Sequence, residues 1–462
     1  MSNKKLYKPN AISGFPEWLP EVRFIEQQWM DKIRNVFESY GFCNIETPSV
    51  EELDVLTAKG DVDKEIYTLT RLHADEKDKS DARLALHFDQ TVPFARYVAQ
   101  NFNDLTFPFK RYQMQRVWRG ERPQEGRFRE FYQCDIDVIH VDNLPIHFDA
   151  EMPAIVHEIL TSLNIGDFEI RLNNRKILNG YLEVIGVKDI VSAIRLLDKF
   201  DKIGHDGVKK QLVEDLGLSE EKAEQALALA TIKTPDDSFV EKVLALLPEG
   251  LLQSDVPHSE IPYSDAPYTD HLEHDAATLR EGLEELKFVM QQLPQANIIA
   301  DLSIARGFDY YTGTVYETLF IDAPEYGSIC SGGRYDDLAS SYINKKLPGV
   351  GISIGFTRLF SKLLKDGHFE NAPSSPADVM VTLPSEEQRP YVMEICKTLR
   401  DRGFKVDMYH SATKMKKQIA YADKKGIPFI WLFDFDNPKS QSVKNMKTGE
   451  QLPADASDWT GK

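Results

Sequence analysis

Residues 110–139, KRYQMQRVWRGERPQEGRFREFYQCDIDVI, decide the fold of this chain, because two alternating segments flank a short arginine-rich turn. In the second segment, side chains of two kinds alternate, as they do in a strand with two different faces. The predicted apolar face carries Phe128, Tyr132, Cys134, Ile136 and Val138. The predicted polar face carries Arg127, Arg129, Phe131, Gln133, Asp135 and Asp137. The sequence therefore predicts a β-hairpin that turns at Gly120, Pro123 and Gly126.

The polar face of this hairpin groups guanidiniums, an aromatic ring, an amide and carboxylates on one surface. Such a grouping is costly to bury unless a ligand or a partner chain satisfies it. This combination of groups suits a ligand with phosphates, a flat base and a cationic group, and Arg119, Arg122 and Arg127 cluster at the turn. The alternative is a solvated hairpin with surface ion pairs.

The composition limits the class of protein. The chain has 462 residues, a hydrophobic content of 42% and a net charge of −18, so we expect roughly two to four domains. The negative charge argues against indiscriminate coating of nucleic acid. No segment has the roughly 20 apolar residues that span a bilayer, and the N-terminus lacks an apolar signal core. We therefore expect a soluble, cytoplasmic protein.

The cysteines and histidines predict neither a disulfide framework nor a structural metal site. The four cysteines, Cys43, Cys134, Cys330 and Cys396, are far apart and form no CxxC pair. The histidines are scattered, and none falls in an HExxH pattern. No protein-bound metal site is expected from these residues.

Helical spacing predicts an amphipathic helix over residues 23–40, and a strand follows toward Pro48. Such an edge strand often pairs with a second subunit, although an ordinary strand end fits as well. Residues 84–88 predict a short strand, with Thr91 as the N-cap of the next helix. Residues 305–321 predict a hairpin that turns near Gly313.

Changes in composition divide the chain into domains. Residues 1–187 and 295–370 form the predicted main domain, an antiparallel-rich sheet with helices outside. Residues 188–294 are charged and mostly helical, apart from a proline-rich stretch, and predict an all-helical insertion. Residues 371–376 predict a linker, and residues 377–462 predict a small βαβαβ domain. The predicted fold class is thus α+β, with an added C-terminal α/β domain.

Several motifs resemble those of the class II aminoacyl-tRNA synthetases. Residues 110–139 resemble motif 2, FCNIETPSVEE resembles motif 1, and GISIGFTRL resembles motif 3. ARGFDYYTG and SGGRYDDL resemble the two signature peptides of the histidyl-tRNA synthetase family. The resemblance to that family extends over almost the whole chain. The resemblance implies a class II catalytic domain, a helical insertion and an anticodon-binding domain. The implied activity is ATP-dependent formation of histidyl-adenylate and transfer of histidine to the 3′ end of tRNA(His), in a homodimer that uses Mg²⁺.

The resemblance also implies site residues. Those for histidine are Asp89, Gln90, Thr91, Arg119, Gln133, Asp137, Arg306, Tyr310 and Tyr311. Asp89 and Thr91 would bind the α-amino group with Gln90 lining the pocket between them. Asp137 and Tyr311 would recognise the imidazole.

For ATP, the implied residues are Arg119, Arg127, Phe131 and Arg358. Arg119 and Arg306 would act at the α-phosphate and Arg127 at the distal phosphates, which makes these three the candidate catalytic residues. Phe131 and Arg358 would enclose adenine. Thr357 stands where motif 3 commonly has an acidic residue, which removes any metal or ribose contact assigned to that acid.

Two other functions compete with this one. A noncatalytic, synthetase-like regulatory subunit of ATP phosphoribosyltransferase would typically lack residues 377–462 and the arginines. An RNA-binding module without chemistry would leave the buried polar pocket unexplained. The retained arginines and C-terminal domain favour the enzyme.

Overall fold

The structure is a computed structural model. It describes residues 8–57, 66–73, 83–247, 269–293, 297–305, 311–336, 339, 342–369, 375–434, 437 and 440–461. The chain divides into two compact units, Met1–Pro16 with Lys32–Lys362 and Glu17–Asp31 with Leu363–Lys462. Each unit is described separately below.

The N-terminal elements follow the predicted order. They are α1 (Pro20–Ser39), β1 (Cys43–Asn44), β2 (Val50–Glu52), α2 (Leu53–Leu56), β3 (Leu84–Leu86) and α3 (Thr91–Gln100). The predicted helix over residues 23–40 is confirmed, with Ile33 and Phe37 fully buried on its apolar face. Gly41 then adopts a positive φ of 79°, which a glycine tolerates without steric cost and which redirects the chain into β1.

The predicted hairpin is confirmed as β4 (Phe109–Trp118) and β5 (Glu130–Ile139). The two strands are antiparallel, with Arg111 opposite Asp137 and Gln115 opposite Gln133. Residues 134–139 are buried on both faces, so the polar face predicted from the alternation is also enclosed. The charged side chains on that face therefore need partners inside the protein or from a ligand.

The rest of the first unit alternates helices with long strands. The helices and strands up to the insertion are α4 (His147–Leu163), β6 (Phe168–Asn174) and α5 (Arg175–Val184). The next group is α6 (Ile190–Leu197), α7 (Phe200–Glu214), α8 (Glu220–Ala230), β7 (Lys233–Thr234), α9 (Phe239–Leu244) and α10 (Thr269–Gln291). The last group is β8 (Ile298–Asp301), β9 (Thr314–Phe320), β10 (Cys330–Tyr335), β11 (Gly349–Ile354) and α11 (Phe356–Lys365).

These strands build one nine-stranded sheet in the order β1-β4-β5-β11-β10-β9-β6-β8-β7. Within the described part of this sheet only the β1–β4 and β6–β8 pairs are parallel, so the predicted antiparallel-rich sheet is confirmed. Strand β5 lies between β4 and β11, and β11 pairs with β10. This order brings the second arm of the hairpin beside the glycine-rich strands.

Two details differ from the sequence prediction. The interval predicted to be all helical includes the two-residue strand β7, which pairs with β8 and extends the sheet. Strand β9 begins directly after Gly313 and pairs with β6 and β10. The first arm of the hairpin predicted there falls largely on residues 306–310, which lie outside the described residues, as does the proline-rich stretch.

The second unit contains a five-stranded sheet in the order β13-β12-β14-β15-β16. Its elements are β12 (Val379–Val381), α12 (Arg389–Asp401), β13 (Val406–Met408), α13 (Met415–Lys424), β14 (Phe429–Phe433), β15 (Gln441–Asn445) and β16 (Gln451–Pro453). The predicted βαβαβ order is present, and its three strands are parallel. The antiparallel strands β15 and β16 were not predicted. Trp431 is fully buried at the centre of this sheet.

No helix in the described part of the chain is both long and apolar enough to cross a membrane.

Candidate active site

Two neighbouring cavities open on the face formed by β5, β10 and β11. The first, which we call the arginine cavity, has a volume of about 270 Å³. Its lining includes Arg119, Glu121, Arg127, Phe131, Gln133 and Arg358. The second, which we call the acidic cavity, is lined by Thr91, Asp135, Asp137, Tyr311, Ser331, Tyr335, Gly351, Ile352 and Ser353. Ser331 and Ser353 line both cavities, so the two are adjacent.

Aromatic rings hold two of the three arginines of the first cavity. The Arg119 guanidinium lies 5.1 Å from the centroid of the Phe131 ring, and its Nε donates to the Phe88 carbonyl at 3.1 Å. The Arg358 guanidinium lies 5.0 Å from the centroid of the Tyr326 ring. These contacts orient the forked donors, which suit phosphate and carboxylate oxygens.

The third arginine of this cavity is more exposed. The Arg127 side chain is 51% exposed, and its Nη1 lies 3.1 Å from Oε2 of Glu121. A surface ion pair of this kind is weak, so a phosphate group can compete for the guanidinium at little cost. One exposed guanidinium and two that are stacked on aromatic rings therefore surround one cavity.

A buried ion pair lies beside the acidic cavity. Arg111 Nη2 and Asp137 Oδ2 are 2.6 Å apart, with side-chain exposures of 0% and 5%. The Tyr335 hydroxyl donates to the other oxygen of Asp137 at 2.9 Å. The Arg111 guanidinium also lies 4.3 Å from the centroid of the Phe94 ring. These contacts fix the position and direction of the Asp137 carboxylate.

Three buried carboxyl groups in this region have raised pKa values. Burial raises the pKa of Asp89 and of Asp137 to about 6, and that of Asp135 to about 7. The Arg111 guanidinium opposes each of these shifts without cancelling it. Removal from water therefore dominates over the nearby guanidinium groups, which for Asp89 include Arg119 as well as Arg111. A cationic ligand would stabilise the charged forms of these carboxyl groups.

Asp89 lies between β3 and α3, where it caps the helix. Its Oδ1 accepts from the backbone N–H of Val92 at 3.2 Å, and its Oδ2 is buried without a hydrogen-bond partner among the described residues. The prediction that Thr91 is the N-cap is wrong, because Thr91 is the first residue of α3 and faces the acidic cavity. Gln90 occupies the N-cap position without a side-chain cap hydrogen bond, and the Asp89 carboxylate, one residue earlier, accepts from the Val92 N–H in the first turn.

Gln90 does not line either cavity, in contrast to the role that the resemblance implied. Its side chain is fully buried, and its Nε2 donates to the backbone carbonyls of Gln115 at 3.0 Å and Gln133 at 3.1 Å. Gln90 therefore joins the start of α3 to β4 and β5. Gln133 does line the arginine cavity, and its Nε2 donates to Ser353 Oγ at 2.8 Å.

The glycine-rich strands leave room for these side chains. A Cβ atom on Gly351 would lie 2.1 Å from Asp137 Oδ1, and one on Gly349 would lie 2.4 Å from the Tyr335 ring. The groups that approach these strands most closely are the site's own side chains. Glycine is required here because any larger residue would displace Asp137 or Tyr335.

Thr357, the departure from motif 3, is 2% exposed. Its hydroxyl accepts from the backbone N–H of Tyr132 at 2.8 Å. It therefore joins α11 to β5.

Some expected site residues lie outside the described residues, namely Arg306 and Tyr310. Their placement stays a prediction. Within the described ranges, no group of three or more His, Cys, Asp or Glu side chains is arranged to hold a metal ion.

The sequence analysis missed Arg111 and Tyr335 as site residues. Both contact Asp137. Tyr335 stands in the quoted peptide SGGRYDDL, and Arg111 stands opposite Asp137 once the hairpin strands are paired in register. The pairing register was the signal that could have identified Arg111.

Comparisons with known proteins agree with this geometry. A family model described as histidyl-tRNA synthetase matches residues 14–250 and 197–359, and one described as an anticodon binding domain matches residues 378–459. A protein of Thermobifida fusca (strain YX) named histidine–tRNA ligase is 53% identical over 464 residues, with 100% of both chains covered.

Solved structures give the same picture. The crystal structure of histidyl-tRNA synthetase from Nostoc sp. PCC 7120 matches with a TM-score of 0.84 at 40% identity, covering 98% of each chain. A Bacillus halodurans structure described as an ATP phosphoribosyltransferase regulatory subunit/histidyl-tRNA synthetase matches with a TM-score of 0.70 at 20% identity, covering 91% of this chain and 97% of that one. At that identity the second match shows a shared fold only.

Proposed function

The chain belongs to the histidyl-tRNA synthetase family, and from this premise we propose how its side chains share the work. It activates L-histidine with ATP to histidyl-adenylate and transfers the histidine to the 3′ end of tRNA(His). The class II fold and the separate anticodon-binding domain predicted from the sequence are confirmed. The full-length relatives favour this activity over the regulatory-subunit alternative.

ATP occupies the arginine cavity in this proposal. Phe131 and Arg358 enclose the adenine ring, since a guanidinium and an aromatic face both stack well on a flat base. Arg119 contacts the α-phosphate and Arg127 the distal phosphates. The support is that all four side chains line one cavity.

Histidine binds at the acidic cavity, whose volume of about 20 Å³ has to increase to admit it, with its carboxylate directed toward the arginine cavity. Asp89 and Thr91 bind the α-amino group, and Gln133 contributes a further polar contact where the two cavities meet. Asp137 and Tyr311 recognise the imidazole, and Tyr310 is proposed to assist on the basis of the resemblance alone. Gln90 acts indirectly, by holding the strands that carry Gln115 and Gln133.

The chemistry consists of positioning and charge neutralisation. A histidine carboxylate oxygen attacks the α-phosphorus in line, the new O–P bond forms, and the bond to pyrophosphate breaks. Arg119 and, from the resemblance, Arg306 stabilise the charge that develops on the α-phosphate. A hydroxyl of the tRNA's terminal ribose then attacks the histidyl carbonyl, and AMP leaves. No covalent enzyme nucleophile is required.

The cavity residues fit a Mg²⁺ ion bound together with ATP. Mg²⁺ is usually held by one or two carboxylates together with substrate phosphates, and Glu121 is the carboxylate among the described lining residues. When bound, the ion neutralises phosphate charge. Thr357 does not contribute, because its hydroxyl binds the Tyr132 backbone.

The tRNA is proposed to contact two regions. Residues 377–462 bind the anticodon, and Lys414, Lys416, Lys417 and Lys424 expose their side chains on or beside α13. The arginine-rich turn between β4 and β5 contacts the acceptor end. Both regions offer cations to phosphate groups within an acidic chain.

We also propose a cytoplasmic homodimer. Strand β1 is an outer strand of the nine-stranded sheet, and both of its residues are exposed. An exposed edge of this kind pairs readily with another chain, which agrees with the expectation from motif 1. Light scattering on the purified full chain tests the dimer, and a monomeric mass would contradict it.

The observation that carries the proposal is the adjacency of the two cavities, which share Ser331 and Ser353. The test is charging of a tRNA(His) transcript with labelled histidine by the full chain and by Arg358→Ala. We expect the substitution to raise the KM for ATP about 10-fold or more with little change in histidine affinity. Equal changes for both substrates would contradict the division between cavities.

A further inference from the structure

Asp135 is a buried carboxylate for which the sequence analysis proposed no role. It is 3% exposed and lines the acidic cavity. Its Oδ1 is buried without a hydrogen-bond partner among the described residues, while Ser353 hydrogen-bonds to the carboxylate. A free acceptor at this depth costs stability unless a ligand supplies a donor.

The groups around Asp135 leave a surplus of negative charge. Asp137 lies two residues along β5, and Asp89 approaches from the start of α3, and both make the surroundings of Asp135 more negative. Arg111, from β4, is the cation that acts on all three carboxylates. The remaining neighbours on β10 and β11 are neutral side chains, namely Cys330, Tyr335 and Ser353. Arg119 also acts on Asp89, but the proposed function assigns Arg119 to the substrate carboxylate and the α-phosphate.

We propose that Asp135 is a specificity residue for histidine, whose free oxygen accepts one ring N–H while Asp137 accepts the other, so that the imidazole is held as its protonated cation. This proposal rests on the function proposed above. A protonated imidazole has two N–H donors, whereas the neutral ring has one donor and one acceptor. Two carboxylates in one cavity therefore match the cation and mismatch the neutral ring.

The strand geometry permits Asp135 and Asp137 to contact the two N–H groups of one imidazole. Asp135 and Asp137 alternate with Ile136 on β5, so both project from the same face, about 6.6 Å apart at the backbone. The two ring nitrogens of an imidazole are separated by a single carbon and their N–H bonds diverge, so the oxygens that accept from them lie a comparable distance apart. Tyr311 remains on the wall of the same cavity. An apolar isostere of histidine would leave both buried carboxylates without hydrogen-bond donors, so it should bind much more weakly than histidine.

The direct test is to count the protons taken up when histidine binds. At pH 8 free histidine is mostly neutral at its ring, since an imidazole titrates near pH ~6.5. Calorimetric titration of the full chain with histidine, in phosphate and in Tris buffer, gives the uptake from the difference in heat. We expect about one proton per bound histidine. Binding without proton uptake would overturn the proposal.

Asp135→Asn keeps the shape of the side chain and removes its charge. We expect its proton uptake to fall toward zero and its Kd for histidine to rise about 10- to 100-fold, the range for losing a hydrogen bond to a charged group. The KM for ATP should stay unchanged. Asp104→Asn, at an exposed position in the turn after α3, is the matched control and should bind histidine like the unmodified chain. Unchanged uptake in Asp135→Asn would contradict the assignment to Asp135.

A second measurement does not depend on the variant folding. The analogue 1,2,4-triazolylalanine has a ring of similar shape that is far less basic. We expect it to bind the unmodified chain at least about 10-fold more weakly than histidine. Equal affinity would overturn the inference. If the proposed function itself were wrong, histidine would neither bind nor support adenylation, whereas failure of this inference alone would leave both intact.

Discussion

Arg111 and Asp137 stand directly opposite each other on β4 and β5, and their side chains form a buried ion pair with 2.6 Å between Nη2 and Oδ2. The pair lies beside the cavity proposed for histidine, with the Tyr335 hydroxyl on the other carboxylate oxygen. A carboxylate held in this way is oriented before substrate arrives. Its direction is set by Arg111 and Tyr335.

Arg111→Met should destabilise the protein strongly. Removing one partner of a buried ion pair leaves an uncompensated charge and costs about 3–5 kcal/mol, measurable as the free energy of urea unfolding. Arg116→Met is the matched control, because the Arg116–Glu130 pair is 47% exposed on the arginine side and should cost at most ~1 kcal/mol. Asp137→Asn added to Arg111→Met should recover part of the loss. If Arg111→Met and Arg116→Met lowered the free energy of unfolding equally, burial would not determine the strength of these ion pairs.

Gly351→Ala should weaken histidine binding without affecting ATP. The added Cβ would lie 2.1 Å from Asp137 Oδ1, so the carboxylate must move off its position. We expect the KM for histidine to rise about 10-fold or more, since a hydrogen bond to a charged group is lost. Steady-state pyrophosphate exchange with each substrate varied in turn measures this. A KM for histidine equal to that of the unmodified chain would show that Asp137 is not in contact with the substrate.

Asp89, Asp135 and Asp137 should contribute less to the stability of the ligand-free protein as the pH rises from about 4 to 7. Burial raises the pKa of Asp89, Asp135 and Asp137 to about 6, 7 and 6, against ~3.9 in an unfolded chain. Between these values the folded state binds more protons than the unfolded state, so the free energy of unfolding falls with rising pH. The contribution is complete below pH ~4 and is lost as the pH passes through the folded pKa values.

Asp135→Asn isolates one part of this effect. Relative to the unmodified chain, its free energy of unfolding should increase by on the order of 2 kcal/mol between pH 5 and pH 8. Titratable groups present in both proteins contribute equally to the two free energies of unfolding, so the difference reports on Asp135. A difference that does not change with pH would refute the assignment of a raised pKa to Asp135.

Lys416→Glu combined with Lys417→Glu should impair tRNA charging and spare adenylation. Both lysines are exposed on α13, and phosphate contacts weaken when cations are replaced by anions. We expect the KM for tRNA to rise about 10-fold at low salt, with unchanged pyrophosphate exchange. Lys447→Glu, exposed in the turn after β15, is the control. An equal effect at Lys447 would indicate a general charge effect instead of a defined RNA contact.

Local patterns in the sequence predicted much of the fold. Alternation over residues 110–139 predicted both hairpin strands, because a strand buried on one side repeats every two residues. Helical spacing predicted α1. The same reasoning did not predict β15 and β16, since short strands that contain Gln, Ser, Lys and Asn carry little apolar signal.

The site was predicted less completely, because it depends on contacts between distant strands. The alternation of side chains along a strand is enough to predict that Phe131, Gln133 and Asp137 lie on one surface. Alternation does not predict that Arg111 belongs to the site, because its ion pair with Asp137 depends on the pairing register of two strands. The sequence predicts Thr91 as the helix cap because threonine is a common cap, whereas Asp89, two residues earlier, accepts the hydrogen bond from the Val92 N–H. The roles of Arg119, Arg127 and Arg358 at ATP came from the resemblance and stay predictions.

The most direct test is exchange of labelled pyrophosphate into ATP, with each of the standard amino acids supplied in turn to the full chain. Histidine should support exchange, and the other amino acids should not, because only histidine supplies two ring N–H donors to the acidic cavity. Loss of exchange in Asp137→Asn would locate the activity at this site. A folded chain that shows no histidine-dependent exchange would contradict the account.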